Sequence, residues 1–246
     1  MAKVSIVMPL YNAKEFVGEA IDSVLAQSHT DWELLVVDDC SNDGSVQIVR
    51  EYAEADKRIR LFCLDQNSGP AVARNRAIAE AAGRYIAFLD ADDLWLPHKL
   101  QRQLEFMEAN DLAFTYSGYE VIDEEGRQIA TFRPPQSLTY HSLLKTNPIG
   151  CLTAIYDTQK LGKTYMPDIL KRQDYGLWLR ILWHITSARG IMEPLAVYRR
   201  RKSSVSSNKL KAALYQWKIY RELEGLGFFK TLYYFVHYAY SGLRKY

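Results

Sequence analysis

Four short apolar runs, at residues 4–8, 33–37, 59–64 and 85–89, alternate with three segments, 15–26, 45–55 and 71–82, that read as helices. Continuous apolar strands are buried on both faces, so their alternation with helices predicts an α/β fold with a covered parallel sheet. In the second helix the turn Ser41-Asn42-Asp43-Gly44 supplies Asp43 or Ser45 as the N-cap, and Gly83 stops the third. Ligands of such sheets gather beyond the carboxyl ends of the strands. Each run here ends in polar or turn-forming residues: Pro9-Leu10-Tyr11-Asn12, Asp38-Asp39, Asn67-Ser68-Gly69 and Asp90-Ala91-Asp92-Asp93.

Beyond Asp93 the pattern changes. A helix is predicted over 97–110 with Pro97 in its first turn. Runs 114–122 and 128–132 flank Asp123-Glu124-Glu125-Gly126 and read as a hairpin. A strand at 153–156, a helix at 174–185 and a strand at 191–198 follow, and 198–207 is a basic, serine-rich loop. From Leu210 the spacing is helical and crowded with aromatics. No linker divides residues 1–207, so the expected organisation is one domain over 1–207 and a helical tail over 208–246.

Composition narrows the class. With 246 residues, 48% of them hydrophobic, the chain can bury a large core. A net charge of +2 gives no footprint for nucleic acid. Three cysteines without a CxxC spacing argue against a disulfide framework or a zinc site and suit a reducing cytoplasm. Pro9 and Asn12 interrupt the N-terminal run, which reads as a strand and not a signal peptide. No apolar stretch reaches the roughly 18 residues of a membrane span.

The acidic strand ends carry the candidate chemistry. Asp90, Asp92 and Asp93 follow an apolar run directly, and Asp38-Asp39 end another strand of the same sheet. Mg²⁺ and Mn²⁺ take oxygen ligands, commonly one or two carboxylates with phosphate oxygens. The bland alternative makes Asp92 and Asp93 helix caps and leaves Asp90 solvated. Two acidic pairs at one rim repel each other, and that favours a cation.

Four motifs now line up: P-L-Y-N (9–12), V-V-D-D-C-S-N-D-G-S (36–45), N-S-G-P-A-V-A-R-N (67–75) and F-L-D-A-D-D (88–93). In this order and spacing they resemble the family 2 inverting glycosyltransferases of GT-A fold. The resemblance is close over about the first 120 residues and looser to about Ser207. It implies a nucleotide-binding half at 1–120, an acceptor-side half at 121–207, and a Mn²⁺ or Mg²⁺ cofactor. A nucleotide-diphospho-sugar donor, a UDP-sugar being favoured, would meet a glycan or lipid-linked acceptor. Pro9 and Tyr11 would border the base, and Asp38 would accept a hydrogen bond from it. Asp90 would touch the ribose, Ala91 would line the same segment, and Asp92 would hold the metal. Asp39 is either a ligand contact or a partner of the neighbouring loop. Arg74 is a candidate for stabilising the leaving diphosphate, with a surface ion pair as the alternative.

The resemblance also places a general base at the start of a helix in the second half, where Gln173-Asp174 stands. Asp174 is the candidate, with a plain N-cap as the alternative; Asp168 competes but lacks a helix behind it. The segment Tyr198-Arg199-Arg200-Arg201-Lys202-Ser203-Ser204-Val205-Ser206 resembles the family's Tyr-Arg-x-His-x-x-Ser-x-Ser, which closes over the diphosphate. Arg201 stands where histidine is usual: it cannot ligate a metal but can fork onto phosphate, as Arg199 can. A solvated basic loop is the alternative. Two rival classes fit less well. A nucleotidyltransferase carries a glycine- and lysine-rich loop that is absent after Pro9. A receiver-type module places its acids after the first strand, whereas these follow the second.

The tail is open to two readings. Residues 210–246 carry six basic and two acidic side chains, four net positive charges, and none of the acids lies beyond Glu224. Such a helix can lie on an anionic membrane, making the protein peripheral on the cytoplasmic face, or dock on the core or a partner chain.

Overall fold

The computed structural model describes residues 4–169, 171–201 and 209–244. The first half alternates as β1 (Val4–Leu10), α1 (Val17–Leu25), β2 (Trp32–Asp38), α2 (Ser45–Ala55), β3 (Ile59–Cys63), α3 (Pro70–Glu80) and β4 (Tyr85–Phe88). The second half contains β5 (Leu94–Trp95), α4 (Lys99–Ala109), β6 (Phe114–Ile122), β7 (Gln128–Phe132), β8 (Ser137–Leu138) and α5 (Tyr140–Lys145). β9 (Ile155–Asp157), α6 (Thr158–Leu161), α7 (Gln173–His184), β10 (Ala188–Arg199), α8 (Lys209–Lys218) and α9 (Phe228–Arg244) complete it, with one π turn at Ile219–Leu223.

The strands form one sheet in the order β3-β2-β1-β4-β9-β6-β10-β5, with β7 beside β6 and β8 beside β10. The ladders of β1 with β2 and β4, β2 with β3, and β10 with β6 are parallel; those of β4 with β9, β6 with β7 and β9, and β10 with β5 and β8 are antiparallel. Residue 120, the expected boundary between halves, falls inside β6, and the sheet continues across it. Alternation along β1 sends Ile6 and Met8 to one buried cluster with α1 and α4, and Val7 to another with α3, α5 and α7. Burial on both faces explains why the runs read as continuous apolar strings.

Three local expectations shift. Pro97 lies before α4, whose first residue is Lys99. Asp92 and Asp93 run into β5 and cap no helix. Asp43 accepts the Ser45 N–H (2.9 Å), while Gly44 in a left-handed conformation occupies the N-cap of α2.

The tail does dock on the core. Tyr220 is fully buried with its hydroxyl on the Leu144 carbonyl, Tyr234 and Phe235 pack against the cluster around Trp178, and Thr231 is buried. The other face of α9 stays open: Phe228, Phe229, Leu232, Tyr233, Val236 and Tyr240 are all exposed. At 100° per residue these six fall within one arc, opposite Thr231, Tyr234 and Tyr238.

Candidate active site

Leu10 of β1 and Asp38 of β2 sit in register, so the loops that follow emerge side by side. They are laced together by backbone amides. Asn12 N–H donates to Ser41 Oγ, Asn42 N–H to Asn12 Oδ1, Ala13 N–H to Ser45 Oγ and Lys14 N–H to Asp43. This leaves Tyr11 about half exposed beside Pro9 at the rim. Asp38 is buried, and both its carboxylate oxygens face the Ser41 N–H at 3.2 Å. Asp39 commits its two oxygens to the N–H groups of Ser68 (2.6 Å) and Gly69 (2.8 Å). Gly69 has φ +86°, open to glycine without strain, and directly precedes α3. Asp39 therefore fixes the loop from which α3 presents Arg74.

The carboxylates after β4 are each met by an arginine. Buried Arg74 of α3 pairs with Asp90. Arg201 reaches Asp92 at 3.4 Å. Buried Asp93 accepts the Arg199 backbone N–H at 2.9 Å, and Arg199 Nε donates to the Asp92 carbonyl at 3.2 Å. Ala91 is buried between them. Arg199 also pairs with Glu19 of α1, and the Arg199 and Arg201 guanidinium carbons lie 5.0 and 5.1 Å from the Phe16 ring centre. Burial raises the Asp92 and Asp93 carboxyls above the usual range, with the neighbouring carboxylates adding to it.

Asp174 is the second residue of α7, half-buried, and is not its cap; the N-cap position belongs to Arg172. Burial pushes its carboxyl up; the Tyr175 amide and the Arg74 charge oppose that, and Asp90 reinforces it. Arg74, Asp90 and Asp174 thus share one electrostatic neighbourhood. Cys151 belongs to it too: burial pushes its thiol up, against the Arg74 charge.

The structure therefore brings Asp90, Asp92, Arg74, Asp174, Arg199 and Arg201 together, with Pro9, Tyr11, Asp38 and Asp39 on the β1–β2 side of the same rim. Asp168 is exposed in the loop before α7. Residues 202–207 of the basic segment lie outside the described residues. Phe16, Glu19, Cys151 and Arg172 escaped the sequence reading because no local spacing links them to their partners. Glu19 is 180 positions from Arg199.

A doubly covered sheet with arginine-paired aspartates at its carboxyl rim defines a glycosyltransferase of GT-A fold. The chain belongs to glycosyl transferase family 2, whose family model matches residues 5–158. It is 46% identical, over 98% of its length and 96% of the relative's, to TuaG of Bacillus subtilis, named for teichuronic acid biosynthesis. It is 40% identical, over 98% of its length and 94% of the relative's, to the Escherichia coli UDP-Glc:alpha-D-GlcNAc-diphosphoundecaprenol beta-1,3-glucosyltransferase WfgD. Among solved structures, Staphylococcus aureus TarS 1-349 in complex with UDP-GlcNAc superposes with a TM-score of 0.74 at 20% identity, covering 96% of this chain and 71% of that one. A mannosyltransferase of Pyrobaculum calidifontis, in complex with GDP-Man and Mn²⁺, superposes with a TM-score of 0.68 at 19% identity, covering 92% and 65%. At these identities the structural likeness speaks for the fold.

The two readings of Asp39 separate by experiment. Asp39→Ala orphans two backbone donors, so urea unfolding is expected to show a loss of about 3 kcal/mol. Unchanged stability with loss of nucleotide affinity makes Asp39 a ligand contact instead.

Proposed function

We propose that this enzyme transfers a sugar from a UDP-sugar to a hydroxyl of a diphosphate-lipid-linked glycan, inverting the anomeric carbon, in the synthesis of a cell-surface polysaccharide. The observation that carries the reading is the convergence of Asp174, Arg74 and Asp90 at one edge of the sheet. The lipid-linked acceptor and the UDP donor rest on the relationship to WfgD, which spans nearly both chains.

Pro9 and Tyr11 border the base, and Asp38 accepts a hydrogen bond from it. Asp90, oriented by Arg74, takes the ribose hydroxyls. Asp174 removes the proton from the acceptor hydroxyl as that oxygen attacks C1 on the face opposite the diphosphate. The C1–oxygen bond breaks, UDP leaves with the bonding pair, and the product carries the opposite anomeric configuration. A carboxylate raised by burial is a better base than a solvated one. Arg199 and Arg201 supply positive charge where the diphosphate develops negative charge.

The residues fit a divalent cation. Asp90 and Asp92 keep side chains about 30% exposed at the rim, each facing one arginine. Among the described residues no group of three or more His, Cys, Asp or Glu side chains could hold a metal alone. Asp92 with diphosphate oxygens makes a suitable donor set for Mn²⁺ or Mg²⁺. When bound, such an ion neutralises charge on the leaving diphosphate.

No helix among the described residues is long and apolar enough to cross a membrane. The open aromatic face of α9 suits a bilayer surface, and with Lys230 and the basic C-terminus it suits an anionic one. The enzyme then works as a peripheral protein on the cytoplasmic face, where a lipid-linked acceptor and soluble UDP-sugar meet.

Asp174→Asn is expected to lower transfer about a hundredfold or more and leave UDP affinity unchanged. Near-normal turnover moves the base elsewhere. NMR of the wild-type product checks the anomer, and retention of configuration contradicts single displacement. For the surface reading, Phe229→Glu with Val236→Glu is expected to weaken binding to phosphatidylglycerol vesicles at least tenfold, since each buried apolar side chain contributes about 1.5 kcal/mol or more. Undiminished vesicle binding with both substitutions contradicts it.

A further inference from the structure

Arg172 stands at an unusual place. It has φ +62° and ψ +34°, the left-handed region, and directly precedes α7. That conformation costs a residue with a Cβ roughly 1–2 kcal/mol. Helix starts ordinarily use an extended Ser, Thr, Asp or Asn whose side chain caps the first turn, and here no side-chain cap bond exists. Something other than local preference must hold the turn.

The holding comes from the tail. One terminal nitrogen of the Arg172 guanidinium donates to the side-chain oxygen of Gln216 in α8. The other donates to the Tyr238 hydroxyl in α9 at 2.5 Å, and the guanidinium carbon lies 4.9 Å from the Tyr238 ring centre. Gln216 is itself buried, so this end of the grip is rigid. At the backbone end, the Arg172 carbonyl accepts the Gly176 N–H at 3.1 Å. The body of α7 is fixed separately: Trp178 packs on Phe88 and Phe114, and Gly176 lies so close to Pro167 that a Cβ there would fall 2.5 Å from its Cγ. The neighbours of Asp174, Gln173 and Tyr175, are buried as well, and the Tyr175 hydroxyl donates to the Leu143 carbonyl at 3.2 Å, so Arg172 acts on the backbone turn that enters α7, two residues before Asp174.

We propose that Arg172 is a positioning residue for the transfer: gripped by Gln216 and Tyr238, it fixes the left-handed turn that aims Asp174 at the acceptor hydroxyl. This rests on the reading of Asp174 as the base. A misplacement of the base by about 1 Å costs on the order of a hundredfold in rate, whereas Arg172 makes no contact with Pro9, Tyr11, Asp38 or Asp90, the residues assigned to the donor. A guanidinium that merely staples the tail to the domain affects stability alone.

The test uses the full chain with a UDP-sugar and a lipid-diphosphate acceptor, with melting temperature recorded for every variant. Arg172→Gly keeps the left-handed turn accessible but removes the grip. Tyr238→Phe keeps the ring and removes one hydrogen bond. Arg172→Lys keeps the charge without the fork. Arg172→Gly is expected to lower kcat roughly 10- to 100-fold with donor KM and UDP affinity unchanged. Tyr238→Phe is expected to lower kcat severalfold, and Arg172→Lys to recover part of the loss. A normal kcat in Arg172→Gly, whatever its melting temperature, overturns the proposal. If that variant fails to fold, Tyr238→Phe decides: a normal kcat overturns the proposal and a reduced kcat at unchanged KM supports it. Asp174→Asn is run in parallel. If it transfers normally, the base reading fails and takes the positioning role with it. If it is inactive while the Arg172 and Tyr238 variants are normal, only the positioning role fails.

Discussion

Three carboxylates in four residues, Asp90, Asp92 and Asp93, stand at the end of a fully buried strand, and the rest of the site answers their mutual repulsion. Two like charges about 4 Å apart repel by about 4 kcal/mol near a protein surface, so such a cluster needs positive partners. They come from distant parts of the chain, Arg74 from α3 and Arg201 from just beyond β10, while Asp93 is met by the Arg199 backbone N–H. β10 can deliver Arg199 and Arg201 because it runs parallel to β6 and pairs with β5, the two-residue strand that directly follows Asp93. The ordering of the second half of the sheet and the neutralisation of the rim are one feature.

Much of this was legible in the sequence where the determinants are local. The limits of β6 and β7 coincide with the two alternating runs, because a hairpin is specified by its own turn and pattern. β1, β2 and β4 were readable because both faces are buried; the edge strand β3 is only partly covered. The short pieces, β5, β8 and α5, were not: two to six residues carry too little period to stand out. Pro97 suggested a helix start two residues too early, since a proline's fixed φ suits the approach to α4 as well as its first turn. The acids of the site were legible as strand ends, but Phe16 and Glu19 were not, because only the fold brings α1 beneath Arg199 and Arg201.

The tail shows where composition alone leaves a choice that packing resolves. Its aromatics suggested either a docked helix or a surface-bound one, and α9 has two apolar faces. Tyr234 and Phe235 meet the core while Phe229 and Val236 face outward. Tyr238, two residues beyond Val236, accepts a hydrogen bond from Arg172. The same helix therefore connects an exposed aromatic surface to the turn before Asp174.

Under the proposed function, Asp92, faced by Arg201, shares a divalent cation with a nucleotide diphosphate. Calorimetric titration of UDP into the wild-type chain and into Asp92→Asn, in Mn²⁺ and in EDTA, addresses it directly. The expected result is tight binding only for the wild-type chain with Mn²⁺, and weak, metal-indifferent binding for Asp92→Asn. Equal affinity of the wild-type chain in Mn²⁺ and EDTA would contradict it.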